Sequence, residues 1–229
     1  PLLDGPVPAI SIVLPTYRRP DRLAQALASV AAQTESDFEV VVVNNDIASA
    51  EAVDAVVARF VLPIRVIHNE TNLGQSRSRN KGVEAARADL VALLDDDDTW
   101  APEFLAKHRA RHEADPDLVL VYCGHRVVWS DIPLAPRERF APPPPADTFR
   151  ALSRGDFTLP TNSVMSFKRA SFLAVGGYDP AVIAFADWDF QMRMAKLGKF
   201  GHVPDALTNF GNALTGRELD PMARLKAFA

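Results

Sequence analysis

Cysteine is nearly absent. Cys123 is alone among 229 residues, so no internal disulfide can form, and nothing marks the compartment as oxidising. Cys123 lies in an apolar run and is expected in the core. No apolar stretch approaches the roughly 18–20 residues of a membrane span, and no basic segment leads into an apolar one as in a signal peptide. A cytoplasmic protein, or one held at the periphery of the inner membrane, is therefore expected. An excess of basic charge is also lacking. The formal net charge is −4, which gives no footprint for nucleic acid. There is no Gly-x-x-x-x-Gly-Lys-Ser/Thr, and no Gly-x-Gly-x-x-Gly after the first strand, so Walker-type and dinucleotide sites are poor candidates. The glycine-rich loop of sugar-nucleotide pyrophosphorylases is missing from the same place.

What is present is ordinary globular material, 48% hydrophobic and 24% charged, enough for a full core. Ile10 to Leu14 is a β-rich run that ends at Pro15. Leu23, Leu27 and Val30 recur at helical spacing behind Pro20, which suits a first helical turn. Phe38 to Val43 is a continuous apolar run, as in a buried parallel strand. A helix over Ala52–Phe60, a strand over Ile64–Ile67, a helix over Gln75–Arg87 and a strand over Leu90–Leu94 follow. This alternation predicts an α/β fold with a mostly parallel sheet flanked by helices. Further on, the pattern predicts a helix over Pro102–Ala114 and two strands around Gly124, as in a hairpin. Then come a proline-rich loop over 130–147, a short helix near 147–154, a strand near 161–167, and helices over Lys168–Val175 and Asp187–Leu197. Met222–Phe228 is a candidate terminal helix.

The centre of the chain is Leu93-Leu94-Asp95-Asp96-Asp97-Asp98-Thr99-Trp100. An acidic run is usually a solvated loop or helix start. This one is launched from a core strand, where unpaired carboxylates would be costly. A hard divalent cation takes carboxylate oxygens, and ligands of open α/β sheets bind at the carboxyl ends of strands. Two other strand exits carry suitable groups. Pro15-Thr16-Tyr17-Arg18-Arg19 offers a hydroxyl, an aromatic ring and two guanidiniums, which suit a nucleotide. Asn44-Asn45-Asp46 offers amides and a carboxylate for a base edge or ribose, or simply an Asx turn. Asn69, Asn72, Gly74, Arg77, Arg79 and Asn80 stand at a helix entrance, where anions bind. Asp187-Trp188-Asp189 interleaves acids with an aromatic, which could cap a helix or hold a general base beside a sugar-stacking wall.

These segments, in this order, resemble a family-2 glycosyltransferase of the GT-A fold. The resemblance rests on Ser11 to Tyr17, Ser29 to Thr34 with Phe38 to Val43, and Asn72-Leu73-Gly74 with Arg79 to Gly82. It continues through Leu94 to Asp98, Val175 to Asp179, and Asp187 to Arg193. It implies one GT-A domain over 1–229: a nucleotide-sugar half over about 10–98, an acceptor and catalytic half over about 99–212, and a tail over 213–229. It also implies an inverting, metal-dependent transfer from a nucleoside-diphosphate sugar to a saccharide or other hydroxyl acceptor. Asp97, with Asp95, would hold Mn²⁺ or Mg²⁺. Pro15, Thr16, Tyr17, Arg18, Asn44, Asn45, Arg79, Asp95 and Asp96 would line the donor pocket. Asp187 would be the base, and Trp100, Trp188 and Asp189 would face the acceptor. Asn44 stands where the family commonly has a base-reading Asp, and Ala186 where it commonly has Glu. His202 is a late metal-ligand candidate by sequence proximity alone. Without Gln-x-x-Arg-Trp or a membrane span, a processive synthase is disfavoured. The alternative is a catalytically silent nucleotide-binding GT-A module that acts as a partner protein. A homo-oligomer is compatible with either reading, and the Ala, Arg and Pro richness with a bacterial source.

Overall fold

The computed structural model describes residues 5–129 and 137–212. Four strands, β1 (Ile10–Thr16), β2 (Phe38–Asn44), β3 (Ile64–His68) and β4 (Leu90–Leu93), form a parallel half-sheet in the order β3-β2-β1-β4. The three inner strands β1, β2 and β4 are rich in Val, Leu and Ile and almost wholly buried, while the edge strand β3, Ile-Arg-Val-Ile-His, is only partly buried. The chain moves outward from β1 through β2 to β3, then returns to place β4 on the other side of β1. That reversal opens a crevice at the carboxyl ends of β1 and β4.

Three helices connect these strands: α1 (Pro20–Ala31), α2 (Ala50–Val57) and α3 (Gly74–Ala85). In α1, Pro20 occupies the first turn, and Leu23, Ala26, Leu27 and Val30 are buried at i, i+3, i+4 and i+7. The α3 helix has little apolar surface and packs by smallness instead. A Cβ on Gly82 would overlap the Val13 Cγ1 methyl and come within 3.1 Å of Val43. Because α3 lies this close to the sheet, Arg79, one turn earlier on the same face, is also buried.

The second half continues the sheet with a change of direction. It contains β5 (Thr99–Trp100), α4 (Phe104–Ala114), β6 (Leu118–Trp129), β7 (Arg137–Arg139), α5 (Thr148–Arg154), β8 (Met165–Lys168), α6 (Arg169–Ala174), α7 (Ala186–Leu197) and β9 (Lys199–Asn212). Strand β8 is antiparallel to β4, β6 is antiparallel to β8, and β9 runs parallel to β6.

Several expectations change here. The segment 118–129 is one strand, not a hairpin. Gly124 is a register irregularity between β6 and β9 rather than a turn. A Cβ there would collide with the Arg139 carbonyl and lie 2.9 Å from the Ala141 nitrogen, so glycine serves a close backbone approach. The long strand β9 occupies Lys199–Asn212, where the sequence pattern assigns no element. Strand β1 continues through Pro15 to Thr16, with Pro15 opposite Val43. Helix α4 begins at Phe104, two residues later than expected. Part of the proline-rich segment forms β7, paired with β6. The expected terminal helix over 222–228 lies outside the described residues.

Candidate active site

The end of β1, the loop after it and helix α3 converge on the acidic corner that follows β4. The Thr16 hydroxyl, at the end of β1, donates to Asp96 Oδ2 at 2.8 Å. Arg19 reaches Asp97 at 3.0 Å and Asp96 at 3.3 Å. From α3, the Arg79 guanidinium donates to Asp95 at 2.6 Å. The corner's backbone is held from the other half of the molecule. Ser163 Oγ accepts the Asp95 N–H at 2.9 Å, and the Thr161 hydroxyl donates to Asp98 Oδ2 at 2.9 Å. Neither Thr161 nor Ser163 is recognisable from sequence. They sit at a short 3-10 turn, Asn162–Val164, that carries no chemical pattern of its own.

Burial sets the electrostatics. The Asp96 carboxyl is pushed up to about 6, first by burial and also by the charges of Asp97 and Asp95, with Thr16 and Arg19 opposing. Asp98 is pushed up to about 8 by burial and by its acidic neighbours. Burial pulls Arg79 down, but Asp95, Tyr178 and Asp187 outweigh it, so its charge is held more firmly than usual. Two guanidiniums therefore serve a four-carboxylate corner, and Asp97 keeps the most solvent contact of the paired acids at 36% side-chain exposure.

Among the described residues, no three His, Cys, Asp or Glu side chains form a ready-made metal cage. Asp95 and Asp97 do supply hard oxygen donors at the mouth of the crevice. That set fits Mn²⁺ or Mg²⁺ arriving with a diphosphate, because such ions use one or two carboxylates and complete their shell with phosphate oxygens and water. His202 lies on β9 in register with Tyr122, its ring 6.2 Å from the Tyr122 ring.

The rest of the expected donor pocket divides in two. Tyr17 is 37% exposed at the mouth, with the Arg18 guanidinium 5.0 Å from its ring centroid. Arg18 adopts a left-handed φ of 56°, an uncommon conformation for a side-chain-bearing residue, and pairs with Asp46 at 2.6 Å. That bond holds the Asp46 carboxyl below the usual range. Asn44 and Asn45 turn inward. The Asn44 amide donates to the Asp46 carbonyl at 2.8 Å and meets His68 Nδ1 at 3.1 Å, and its oxygen accepts from the Asp46 N–H and Ser49. Asn45 spans to Asn72, Asn69 and the Leu73 N–H. Both amides therefore shape the loops, and Asp46 is the group at that strand exit whose carboxylate pairs with an exposed side chain.

Asp187 stands in the first turn of α7, where its Oδ1 accepts the Trp188 N–H at 2.9 Å. Its charge acts on both Arg79 and Tyr178, which brings it into the same electrostatic cluster as Asp95. Phe185, just before the helix, has φ 60°. Arg18 and Phe185 are the non-glycine residues with positive φ among the described residues, one in the turn after β1 and one just before α7. Trp188 is half-buried against Phe185, and its indole N–H donates to the Leu152 carbonyl at 3.0 Å.

Two expected acceptor residues are otherwise engaged. Trp100 is 3% exposed, stacked on Phe104 at 4.0 Å, and donates to the Ser163 carbonyl at 2.7 Å. It is a core residue that supports the corner from behind. Asp189 is bound by Arg193 at 2.6 Å, which in turn holds the Val175 and Gly177 carbonyls. A cleft of about 410 Å³, lined by Tyr122, His125, Arg139, Phe140, Phe157 and Pro160 among others, opens beside the Pro160–Thr161 segment that leads to Asp98.

A GT-A sheet with an acidic corner at its switch point is the fold of nucleotide-sugar-dependent transferases, and the comparisons agree. The family model described as Glycosyl transferase family 2 matches residues 11–173, and the chain belongs to that family. It is 30% identical over 198 residues to an uncharacterized glycosyltransferase of Haemophilus influenzae, covering 83% of this chain and 63% of that protein. Staphylococcus aureus TarS 1–349 in complex with UDP-GlcNAc superposes with a TM-score of 0.72 at 22% identity, over 93% of this chain and 60% of TarS 1–349. The mannosyltransferase PcManGT of Pyrobaculum calidifontis, in complex with GDP-Man and Mn²⁺, superposes at 0.68 and 21% identity, over 94% and 62%. The chain thus spans 60–63% of the length of each of these proteins. No described helix is long and apolar enough to cross a membrane.

Proposed function

We propose that the protein is an inverting glycosyltransferase that moves a sugar from a nucleoside-diphosphate donor to an acceptor hydroxyl with a divalent cation. The observation that carries this is the acidic corner at the β1/β4 crevice, with Arg79 on Asp95 and Arg19 on Asp96 and Asp97. Asp97 and Asp95 would hold Mn²⁺ or Mg²⁺, which supplies charge neutralisation to the diphosphate when bound. Arg79 and Arg19 add fixed positive charge on the leaving-group side. Tyr17 and Arg18 cover the nucleotide, and Asp46 offers the polar contact that the inward-facing Asn44 does not.

Asp187 accepts the proton of the incoming hydroxyl, and attack from the side opposite the diphosphate inverts the anomeric carbon. Trp188 and Phe185 provide the apolar wall on this side, and the aromatic cleft with Arg139 and His125 gives room for the acceptor beyond its reacting sugar. The two structural neighbours named above are bound to a uridine and a guanosine sugar nucleotide, so the test uses both. Thermal shift with UDP and GDP, each with and without Mn²⁺, should give a rise that needs nucleotide and metal together. Sugar-nucleotide turnover with release of the nucleoside diphosphate should follow. No metal-dependent shift with either nucleotide would overturn the proposal.

A further inference from the structure

We propose that Tyr178 is a positioning residue that ties the diphosphate-side pair Arg79–Asp95 to the helix carrying Asp187. Tyr178 is fully buried and joins three elements. Its main chain is clamped to α3: Asn80 Nδ2 donates to the Tyr178 carbonyl, and the Tyr178 N–H donates to Asn80 Oδ1, both at 2.8 Å. The phenol donates to Asn162 Oδ1 at 2.6 Å. Asn162 begins the turn whose Ser163 hydroxyl holds the Asp95 N–H. The ring stacks on Phe190 with centroids 4.5 Å apart. Phe190 is one turn beyond Asp187 on α7. The Arg79 guanidinium also lies over the ring, 5.5 Å from its centroid.

The approach to Tyr178 is rigid as well. Gly177 has φ +67°, and a Cβ there would lie 2.8 Å from both Asn80 and Phe172. Arg193, fixed by Asp189, holds the Gly177 carbonyl at 2.6 Å. A buried tyrosine kept only for packing needs a single partner for its hydroxyl. This one bonds the turn that holds the acidic corner while its ring faces the corner's buried cation and the base-bearing helix. The catalytic consequence rests on the glycosyl-transfer proposal, but the mechanical link does not.

The test uses the full chain with Tyr178→Phe, Asn162→Ala and the double variant. Tyr178→Phe keeps the ring but leaves the buried Asn162 oxygen without its donor, so the melting temperature should fall modestly, by about 2–12 °C. Hydrogen exchange should quicken over 185–190 and 159–163 and stay unchanged over α1 and α2. Calorimetry with UDP or GDP plus Mn²⁺ should give affinity within about twofold of wild type, while turnover at saturating donor falls about tenfold or more, the scale of a small misplacement of reacting groups. The double variant should be no worse than either single one, because one bond is lost in all three. Wild-type exchange over 185–190 in Tyr178→Phe would overturn the proposal, as would a uniform exchange increase with affinity and turnover falling together. If the wild type turns over no sugar nucleotide, the functional proposal fails and the exchange measurement alone decides the link.

Discussion

The Arg79–Asp95 pair offers the sharpest test of how the acidic corner is held. Replacing Arg79 by Met keeps the apolar stem that fills the space under α3 and removes the charge. The pair is separated by 2.6 Å, with side-chain exposures of 6% and 20%. Unit charges about 4 Å apart interact by about 4 kcal/mol at an effective dielectric near 20. Removing one partner of a buried pair costs about 3–5 kcal/mol, because the other charge is stranded. Asp95 retains some water, so the lower end applies, about 3 kcal/mol. At about 2–4 °C per kcal/mol for a chain of this size, the midpoint should drop by about 6–12 °C. Urea unfolding of Arg79→Met, Asp95→Asn and the double variant gives the coupling directly. The double variant should be less destabilised than the sum of the singles by about 1.5 kcal/mol or more. Additivity within about 0.5 kcal/mol would mean that Asp95 is stabilised by solvent, and the electrostatic account of the corner would fail.

Asp97→Ala should abolish the metal-dependent part of nucleotide binding in calorimetry. Asp187→Asn should keep nucleotide binding and lose transfer by about 10²-fold or more; wild-type turnover in that variant would remove Asp187 as the base. His108 and His112 share the Ser166 hydroxyl in the core at 2.8 and 3.1 Å, and burial lowers them from 6.5 to about 3 and about 4. The unfolded chain therefore binds protons at these sites near pH 6.5 while the folded chain does not, so their stability contribution is present above pH 6.5 and is lost as pH falls through 4 to 3. Urea midpoints should fall over that window, and His108→Leu should flatten the fall. Gly82→Ala raises intrinsic helix propensity yet should destabilise by about 1–3 kcal/mol, because the added methyl meets Val13 across the α3–sheet contact; a gain in stability would contradict that packing.

Most of the first half was readable along the chain. Strands β1, β2 and β4 carry long apolar runs, α1 has a proline start and regular apolar spacing, and Asp95 to Asp98 follow directly from a core strand. Local sequence carries such elements because strand and helix periodicity, and the cost of unpaired charge, act over a few residues. The reading failed where the cause was distant. Gly124 resembles a turn until the backbones at Arg139 and Ala141 are brought against it. Trp100 looks like an acceptor surface until Ser163, 63 residues away, takes its indole proton and Phe104 covers its ring. Strand β9 has little pattern of its own and is defined by pairing with β6.

The chain by itself therefore determined the order of the elements, the family pattern and the chemical kind of the site, because these depend on near neighbours and on residue type. Tertiary structure alone decided which polar groups are engaged by the protein and which face the crevice. Asn44 is consumed by Asp46, Ser49 and His68, while Thr161 and Ser163 join the site from a segment without a recognisable motif, and Tyr178, though inside a family motif, shows its link to Asn162 only in three dimensions. Hydrogen bonds and burial between distant segments set that division, and no local spacing encodes them.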